Sequence, residues 1–341
     1  MEVREGTLED LGMKRMKRIA VSGPTGVIGI ALINKCIEEG VEVYAYVRPG
    51  SKRRDNIPKT PLVKICDYDL SDFGRVAGLS GAIKLPKIDA FYHFGWAGTI
   101  GDGRNDGRLQ ALNIKYTTDA VALAHAMGAR VFIGAGSQAE YGRVEGKLKP
   151  DTAVDPENGY GIAKLAAGGL SRIMCERLDM KHIWVRVLSV YGPYDGEATM
   201  IMKTIRQLLH GGRPSLTEGK QIWDYLYSKD AGRAFYMLGA KAAGETGENA
   251  DTCGPEGLDG KVYCLGSGTG RPLRDYIREM RDAIDPSLSL GFGEVSYSDK
   301  QVMHLEADIS DLTKDTGFKP EVSFGEGIRE TIEYASCHAC R

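Results

Sequence analysis

The feature that most restricts the fold of this 341-residue chain is the segment RIAVSGPTGVIG at residues 18–29. An apolar, β-branched run leads into three glycines spaced three residues apart, and a helical pattern follows directly. A turn without Cβ atoms lets a phosphate approach the unpaired N–H groups of a helix N-terminus. A structural βα turn is the alternative, but the position on the first strand favours a dinucleotide site. The predicted contacts are Gly23, Thr25, Gly26, Val27, Ile28 and Gly29.

Strand-like and helix-like segments alternate through the first half of the chain. This alternation predicts parallel strands joined by helices, and near-continuous apolar runs fit strands buried on both faces. We therefore predict an α/β fold with a doubly wound parallel sheet of the Rossmann type. The predicted strands are Arg18–Ser22, Glu42–Tyr46, Leu62–Cys66, Ala90–Phe94, Arg130–Ile133 and Ile183–Leu188, and the predicted helices are Val27–Glu39, Leu112–Met127 and Gly161–Leu178.

The pattern becomes less regular after about Tyr191, where glycine- and proline-rich loops separate helical stretches. We interpret residues 17–190 as a dinucleotide-binding Rossmann domain. Residues 191–335 are interpreted as a smaller, mainly substrate-binding lobe with some segments that return to the sheet. The acidic stretch Gly244–Gly260 is predicted to be a surface loop. The helices predicted in this part are Thr199–Leu209, Lys229–Gly239, Leu273–Ala283 and Gly325–Tyr334.

Composition argues against several classes of protein. The 44 lysines and arginines nearly balance 46 aspartates and glutamates, so no general attraction to nucleic acid or to an anionic membrane is expected. The uncharged stretch Ile19–Asn34 is shorter than a membrane span, and no secretory signal is visible. Seven cysteines, mostly scattered, predict reduced thiols and a cytoplasmic protein. Cys337 and Cys340 supply at most half a zinc site, so no metal centre is predicted.

The end of the second predicted strand bears on the choice of cofactor. An acidic residue about 20 positions beyond the glycines binds the ribose hydroxyls in many NAD sites. This chain has Val47 followed by Arg48, with Lys52, Arg53 and Arg54 close behind. A cation at this point suits a 2′-phosphate, so NADP(H) is favoured and NAD(H) is the alternative. The same residues are also consistent with a solvated basic loop.

Tyr160 and Lys164 are four residues apart at the start of a predicted helix, so their side chains project from one face. Free tyrosine has a pKa near 10 and is a poor base at neutral pH. We expect the lysine ammonium, together with a cationic nicotinamide, to lower the pKa of the phenol. Hydride transfer at a carbinol carbon requires such a proton relay. An exposed helical pair is the alternative, and the position after the fifth strand favours the catalytic interpretation.

Further motifs follow in a fixed order. They are Asp69-Leu70 after the third predicted strand, HFGWAG (93–98), Asn113, GSQAEYG (136–142), Arg186, YGP (191–193), WDYLYSKD (223–230) and ADISDLTKDTGFKP (307–320). With the glycine-rich turn and the Tyr160/Lys164 pair, they make the chain resemble the extended short-chain dehydrogenase/reductases. Within that family the resemblance is to the NAD(P)-dependent nucleoside-diphosphate-sugar epimerases, dehydratases and 4-keto reductases.

The resemblance implies a catalytic role for four residues. Tyr160 would be the general acid/base, and Lys164 would hold the nicotinamide ribose and lower the tyrosine pKa. Ser137 would hydrogen-bond the reacting sugar oxygen. Asn113 would support Lys164 through a water molecule, although a turn or cap residue is the alternative for Asn113.

The resemblance also implies cofactor contacts beyond the glycine-rich turn. Asp69 would hold the adenine amino group, with a helix N-cap as the alternative. Leu70 and Phe94 would lie against the cofactor, together with Tyr160 and Lys164.

Two departures from the family pattern affect the expected reaction and substrate. Related 4,6-dehydratases place Asp and Glu directly after the catalytic hydroxyl residue, where this chain has Gln138 and Ala139. Neither side chain can transfer a proton, so dehydration is disfavoured. Many family epimerases also grip the substrate diphosphate with two arginines, and this chain has Trp223 and the stretch Ser-Asp-Lys-Gln at 298–301 in their places. The charge could come from Lys300, Arg213 or Arg271, and the substrate contacts predicted are Ser137, Gln138, Trp223 and Lys300.

These observations favour an oxidoreductase that moves hydride between NADP(H) and C4 of a sugar nucleotide, most simply a 4-keto reductase. The alternatives are a 4-epimerase with permanently bound NAD and, from another class, a cofactor-sensing protein without activity. The resemblance also implies a homodimer in which the helices of Asn113 and Tyr160 pack into a four-helix interface. The small residues of Ala163–Gly169 would allow close approach there, or could simply pack on their own sheet.

Overall fold

A computed structural model describes residues 16–244 and 257–337. Most of the loop predicted at 244–260, and Cys340, lie outside these residues. In chain order the strands are β1 (Arg18–Ser22), β2 (Glu42–Val47), β3 (Val63–Asp67), β4 (Ala90–His93), β5 (Val131–Ser137), β6 (Lys181–Val187), β7 (Ser189–Tyr191), β8 (Ser215–Leu216), β9 (Ile222–Trp223), β10 (Tyr225–Tyr227), β11 (Val262–Leu265), β12 (Arg271–Pro272), β13 (Gly291–Phe292) and β14 (His304–Leu305). The helices are α1 (Val27–Glu38), α2 (Phe73–Gly78), α3 (Gly107–Ala126), α4 (Gly159–Arg177), α5 (Met200–Leu209), α6 (Ser228–Gly244), α7 (Leu273–Ile284), α8 (Ser310–Thr316) and α9 (Phe324–Cys337).

The central sheet has seven strands in the order β11-β6-β5-β4-β1-β2-β3. All neighbouring pairs in it are parallel. Every residue of β4 and β5 is buried, as the apolar runs of these strands require. The predicted doubly wound parallel sheet is confirmed.

Helices cover both faces of this sheet. On one face, Leu32 of α1 and Phe235 of α6 pack into one apolar core with the strands. On the other face, Val76 of α2, Leu123 of α3 and Cys175 of α4 belong to a second core. Both faces of the sheet are therefore buried beneath helices.

A third core lies in the C-terminal part, where Ile205 of α5, Ile277 of α7 and Ile328 of α9 pack together. Short sheets surround it, with the strand orders β10-β7, β12-β9-β14 and β13-β8. Strand β11 and helix α6 follow residue 190 in sequence but pack with the central sheet, and the domain boundary at 190–191 stays a prediction. None of the helices within 16–244 and 257–337 is both long and apolar enough to cross a bilayer.

Helix α3 begins at Gly107 and not at the predicted Leu112. The cause is a cap that hydropathy does not reveal, because the Asp106 carboxylate accepts hydrogen bonds from the backbone N–H groups of Arg108 and Leu109, at 3.0 and 3.1 Å. An aspartate at this position stabilises the first turn of a helix. The extra turn extends α3 towards the end of β4.

Strand β5 continues to Ser137, although Ile133 was predicted to end it. The glycines that suggested an end instead make room for the Trp184 side chain of β6. A Cβ atom at Gly134 or Gly136 would lie 2.2 or 2.3 Å from that side chain, and one at Gly168 of α4 would lie 2.8 Å away. The indole thus fills a space that three missing side chains leave open.

We expect Gly168→Ala to destabilise the protein by about 1–3 kcal/mol, because the new methyl group overlaps the buried indole. Without that overlap, alanine in a helix interior is more stable than glycine by about 1 kcal/mol. Urea unfolding of Gly168→Ala in the wild-type and Trp184→Phe backgrounds measures the effect. An equal cost in both backgrounds would show that the indole is not the cause.

Candidate active site

The candidate site lies at the carboxyl ends of β1, β4 and β5. The strand order runs outward from β1 to β2 and β3 on one side and to β4, β5 and β6 on the other. The order therefore reverses between β1 and β4, and in open α/β sheets ligands bind in the crevice at this point.

The glycine-rich turn adopts the close geometry that a dinucleotide phosphate requires. Gly23 has φ +69°, and a Cβ atom there would lie 2.7 Å from the backbone nitrogen of Gly95. A Cβ atom at Gly29 would lie 2.5 Å from the Gly23 carbonyl oxygen. Gly26 precedes α1 with no side-chain cap. The first turn of α1, which contains Val27 and Ile28, therefore presents its backbone to a ligand, and the turn fits a phosphate group.

The other predicted cofactor contacts surround this turn. The Thr25 carbonyl accepts a hydrogen bond of 3.5 Å from Asn56. The Phe94 ring packs against Phe235, with ring centroids 4.7 Å apart. The Leu70 side chain lies beside Gly95, where a Cβ atom would be 2.8 Å from it. The contacts of these residues with a cofactor stay predictions.

Asp69 is a helix N-cap, which the sequence analysis gave as the alternative to adenine binding. Its carboxylate accepts hydrogen bonds of 3.1 Å from both the backbone N–H and the hydroxyl of Ser71. The Asp72 carboxylate accepts the Asp69 N–H in return, at 2.9 Å. These reciprocal hydrogen bonds form a capping box. The contact of Asp69 with the adenine amino group stays a prediction.

The basic residues after β2 differ in whether their side chains already bind another group of the protein. Arg54 forms an ion pair with Asp67, and Arg53 donates a hydrogen bond to the Tyr194 carbonyl. Arg48 is exposed at the end of β2. Arg48 and Lys52, both exposed, are therefore more accessible to a ligand at this strand end than Arg54.

The predicted catalytic side chains meet where β5 and α4 come together. The Lys164 Nζ atom donates a hydrogen bond of 2.6 Å to the Ala135 carbonyl, lies 5.8 Å from the centre of the Tyr160 ring and lies 3.8 Å from the centre of the Trp96 ring. The half-buried Tyr160 ring packs edge-on against Trp96. Ser137, at the end of β5, lowers the pKa of the tyrosine hydroxyl.

The protein alone does not lower the Tyr160 pKa, and the expected lowering, which included a cationic nicotinamide, stays a prediction. Burial raises this pKa, while Ser137 and the Arg104 guanidinium act in the opposite direction. Burial also lowers the pKa of Lys164 to about 7, against the attraction of the Glu140 carboxylate. The lysine is therefore only partly charged at neutral pH, so its presence does not by itself make the phenol acidic.

Asn113 is buried and holds the segment after β4. Its side-chain oxygen accepts the Ala97 N–H and its side-chain nitrogen donates to the Ala97 carbonyl, both at 2.9 Å. This is a structural tie between α3 and the chain beside Trp96. The water-mediated support of Lys164 stays a prediction.

His93 lies close to these groups but cannot serve as their acid or base. Thr117 donates to the Asn113 carbonyl, so the His93 Nε2–H donates to the Thr117 hydroxyl at 3.2 Å and Nδ1 accepts from Ser22 at 2.8 Å. Burial lowers the pKa of His93 to about 3. The imidazole is neutral at working pH, and both of its nitrogen atoms are occupied.

Glu140 is a functional residue that the sequence analysis missed. Its fully buried carboxylate accepts hydrogen bonds from the Ser137 N–H at 2.8 Å, Trp184 Nε1 at 3.0 Å and Arg186 Nε at 2.8 Å. Ser137 in turn accepts the Ala139 N–H. The signal was available, because Ser-x-x-Glu is the capping-box pattern.

The predicted substrate contacts lie at the end of β5 and in the C-terminal part. Gln138 directly follows Ser137, and Lys300 is exposed. Trp223 is half-buried and donates a hydrogen bond of 2.8 Å to the Ser189 hydroxyl. Arg213 and Arg271 are each paired with a carboxylate, of Glu294 and Glu279 respectively. Both arginines therefore already have a carboxylate partner.

Comparison with known proteins identifies the family. A model of the NAD dependent epimerase/dehydratase family matches residues 19–251. The chain belongs to this family. The match confirms the predicted family and the predicted class, an NAD-dependent enzyme of the extended short-chain dehydrogenase type.

Relatives with different printed activities match the chain. CDP-abequose synthase from Salmonella typhimurium is 24% identical over 328 residues, covering 92% of this chain and 97% of that protein. UDP-glucose 4-epimerase from Mycolicibacterium smegmatis is 22% identical over 324 residues, covering 93% and 98%. dTDP-glucose 4,6-dehydratase from Shigella flexneri is 26% identical over 190 residues, covering 54% of this chain and 48% of that protein. The match thus spans about half the length of this dehydratase.

Solved structures share the fold. UDP-N-acetylglucosamine 4-epimerase from Methanobrevibacter ruminantium M1, in complex with UDP-N-acetylmuramic acid, has a TM-score of 0.79 at 20% identity and covers 95% of this chain and 100% of its own. UDP-glucuronic acid 4-epimerase from Bacillus cereus, in complex with NAD, has a TM-score of 0.76 at 19% identity and covers 94% and 99%. At such identities the likeness shows the fold alone.

The lowered pKa of Lys164 predicts a pH dependence of stability. An unfolded lysine keeps its proton up to about pH 10.5, whereas the folded protein releases it near pH 7. Unfolding therefore takes up a proton between these values, and wild-type stability should rise from pH 7 to 9 relative to Lys164→Met. The free energy of unfolding of wild type, relative to that of Lys164→Met, should increase by at most about 1.4 kcal/mol per pH unit.

Urea unfolding at pH 7, 8 and 9 checks this, with Lys203→Met as the control at an exposed lysine of α5. A stability difference between wild type and Lys164→Met that stays flat or falls as the pH rises would contradict the burial of the ammonium.

Proposed function

We propose that this protein transfers hydride between a nicotinamide cofactor and C4 of a nucleoside-diphosphate sugar, most simply as a 4-keto reductase. The observation that carries the proposal is the meeting of Ser137, Tyr160 and Lys164 beside the glycine-rich turn. Ser137 favours ionisation of the Tyr160 hydroxyl by its effect on the tyrosine pKa, and Lys164 Nζ lies 5.8 Å from the centre of the tyrosine ring. A protein that only binds a cofactor has no use for this proton-transfer pair.

The residues after Ser137 argue against dehydration. Gln138 and Ala139 carry no group that could take or give a proton at C5 or C6 of the sugar. The length of the match does not separate the reactions, since dTDP-D-glucose 4,6-dehydratase from Mus musculus is matched over 88% of its length. CDP-abequose synthase and UDP-glucose 4-epimerase are matched over 97% and 98%.

In the proposed reduction, this chain positions the ketone and supplies one proton. Ser137 donates a hydrogen bond to the C4 oxygen of the sugar, and Tyr160 transfers its phenolic proton to that oxygen as the carbinol forms. Lys164 holds the ribose next to the nicotinamide. The cofactor supplies the hydride when it is bound.

The family is NAD dependent, and we propose that this member prefers NADP(H). Arg48 supports the proposal because it is exposed at the end of β2, where a ribose 2′-phosphate would lie. The substrate diphosphate would be held by Lys300 and by backbone N–H groups, since Arg213 and Arg271 are already paired with carboxylates.

A 4-epimerase is the second candidate, supported by the full-length similarity to UDP-glucose 4-epimerase. An epimerase keeps its NAD, because the same carbon is oxidised and then reduced again. Mild denaturation of the purified protein distinguishes the two. Little released nucleotide supports the reductase, whereas stoichiometric NAD favours the epimerase. A thermal-shift panel of UDP-, CDP-, GDP- and dTDP-sugars, with and without NADPH, identifies the substrate class.

We expect Tyr160→Phe to retain cofactor binding and to lower turnover at least about a hundredfold, the effect of losing a general acid/base. The variant keeps the ring that packs against Trp96, so the fold is preserved. Cofactor titration and NADPH oxidation with the sugar nucleotide found in the panel measure the two effects. Undiminished turnover would show that the proton relay lies elsewhere.

We also propose a homodimer formed through α3 and α4. Leu112 of α3 and Ile162, Leu170 and Ile173 of α4 are 44–55% exposed. The three α4 residues recur at helical spacing and share a face. Two copies of this surface would form a four-helix interface that covers the apolar side chains.

We expect Ile173→Glu to convert the dimer into monomers, because a buried unpaired carboxylate is costly at such an interface. Leu79→Glu is the control, since Leu79 is similarly exposed (41%) but lies at the end of α2. Sedimentation equilibrium gives the masses. A wild-type protein that sediments as a monomer, or an Ile173→Glu variant that stays dimeric, would overturn the proposed interface.

A further inference from the structure

The segment between β4 and α3, residues 96–105, covers the face of Tyr160. Within it, the carbon of the Arg104 guanidinium lies 4.4 Å from the centre of the tyrosine ring. This is contact distance for a cation on an aromatic face. The side chain is half-buried, and its Nη1 atom donates a hydrogen bond of 2.9 Å to the Thr99 carbonyl. The guanidinium is therefore held on the ring.

The segment is fixed to its surroundings by a buried side chain of α3. Gln110 donates hydrogen bonds of 3.0 and 2.7 Å to the carbonyls of Gly98 and Gly103, and it accepts one of 2.9 Å from Trp96 Nε1. One amide thus ties both ends of the 96–105 segment to one helix.

A second tie joins the segment to the start of α4. The Asn105 side chain accepts a hydrogen bond of 3.0 Å from the Gly159 N–H. A Cβ atom at Gly159 would lie 3.0 Å from the Arg104 carbonyl oxygen. Because the residue before Tyr160 has no side chain, the backbone of Arg104 can pack directly against the turn that carries the tyrosine.

The charges around the phenol make this arginine important. Lys164, on α4 itself, has its pKa lowered to about 7 by burial. Glu140, in the turn after β5, opposes ionisation of the phenol, and the uncharged Ser137 at the end of that strand favours it. A guanidinium keeps its charge at any working pH. Arg104 is thus a permanent cation beside Tyr160. Of the other ionic groups near the phenol, Lys164 is only partly charged at neutral pH, and Glu140 opposes formation of the phenolate.

We propose that Arg104 is a positioning residue for the proton transfer at Tyr160, which it promotes by holding a fixed positive charge on the tyrosine ring. The inference rests on the proposed function. As the phenol gives its proton to the C4 oxygen, the O–H bond of Tyr160 breaks, a new O–H bond forms on the substrate and negative charge appears on the phenolate. The guanidinium stabilises that charge without taking part in either bond.

The test compares Arg104→Gln, Arg104→Lys and the control Arg108→Gln, which alters an exposed arginine four residues along the chain. In the reductive direction Tyr160 must be protonated, so activity falls as the pH rises through its pKa. Loss of the cation raises this pKa by about one unit or more. We expect Arg104→Gln to lower kcat about tenfold at pH 7 and to move the alkaline limb of the kcat profile upwards by about one unit. Arg104→Lys should keep most of the wild-type kcat and most of the wild-type position of the alkaline limb. Arg108→Gln should match wild type in both.

A readout without turnover separates this inference from the proposed function. In protein labelled with [ζ-¹³C]tyrosine, the Tyr160 signal is the one lost in Tyr160→Phe, and its titration gives the pKa directly. A higher Tyr160 pKa in Arg104→Gln than in wild type supports the inference even if no sugar nucleotide is turned over, in which case the proposed function alone fails. An unchanged titration, or an active Arg104→Gln enzyme with the wild-type pH profile, overturns the role of Arg104 and leaves the proposed function standing.

Discussion

The buried carboxylate of Glu140 is the interaction on which the geometry of the candidate site depends. It accepts the Ser137 N–H, the Trp184 indole N–H and the Arg186 guanidinium. A buried carboxylate that loses its partners is strongly destabilising, so β5 and β6 must keep their register and Ser137 must keep its extended backbone. The same negative charge raises the pKa of Lys164 against the effect of burial. One buried carboxylate therefore both positions the serine and favours the charged form of the lysine.

Most of the sheet could be predicted from sequence because strands buried on both faces must be apolar throughout. The prediction failed where a residue's role depends on a distant neighbour. Gly134 signals a strand end locally, but in the fold it gives space to Trp184, which follows it by 50 residues. Strand β11 was missed for a related reason, since Val262–Leu265 is a four-residue run whose partner, β6, is far away in sequence. Local patterns record the burial of a residue but not the identity of its neighbour.

In the candidate site, too, some features could be predicted from the sequence and others could not. Tyr160 and Lys164 could be predicted because a helix brings residues four positions apart together whatever else the chain does. Their pKa values could not, since burial opposes the charged form of each group and burial is a property of the whole fold. Arg104 gave no signal, because a ten-residue segment with several glycines has no periodicity that would place it on the tyrosine. Only the hydrogen bonds from α3 determine where it lies.

The supply of protons limits the chemistry that these residues can perform. Among the described groups around Ser137, the His93 imidazole is neutral with both nitrogen atoms engaged, and Gln138 and Ala139 cannot exchange a proton. In the proposed reaction, Tyr160 moves one proton on and off a single oxygen, which suffices to interconvert a carbinol and a ketone. A reductase and an epimerase share this step. A reductase binds a ketone from solution, whereas an epimerase forms the ketone in its own site and then reduces it. The catalytic side chains can be the same in both. Retention of the dinucleotide, rather than the identity of any residue, therefore separates the two activities.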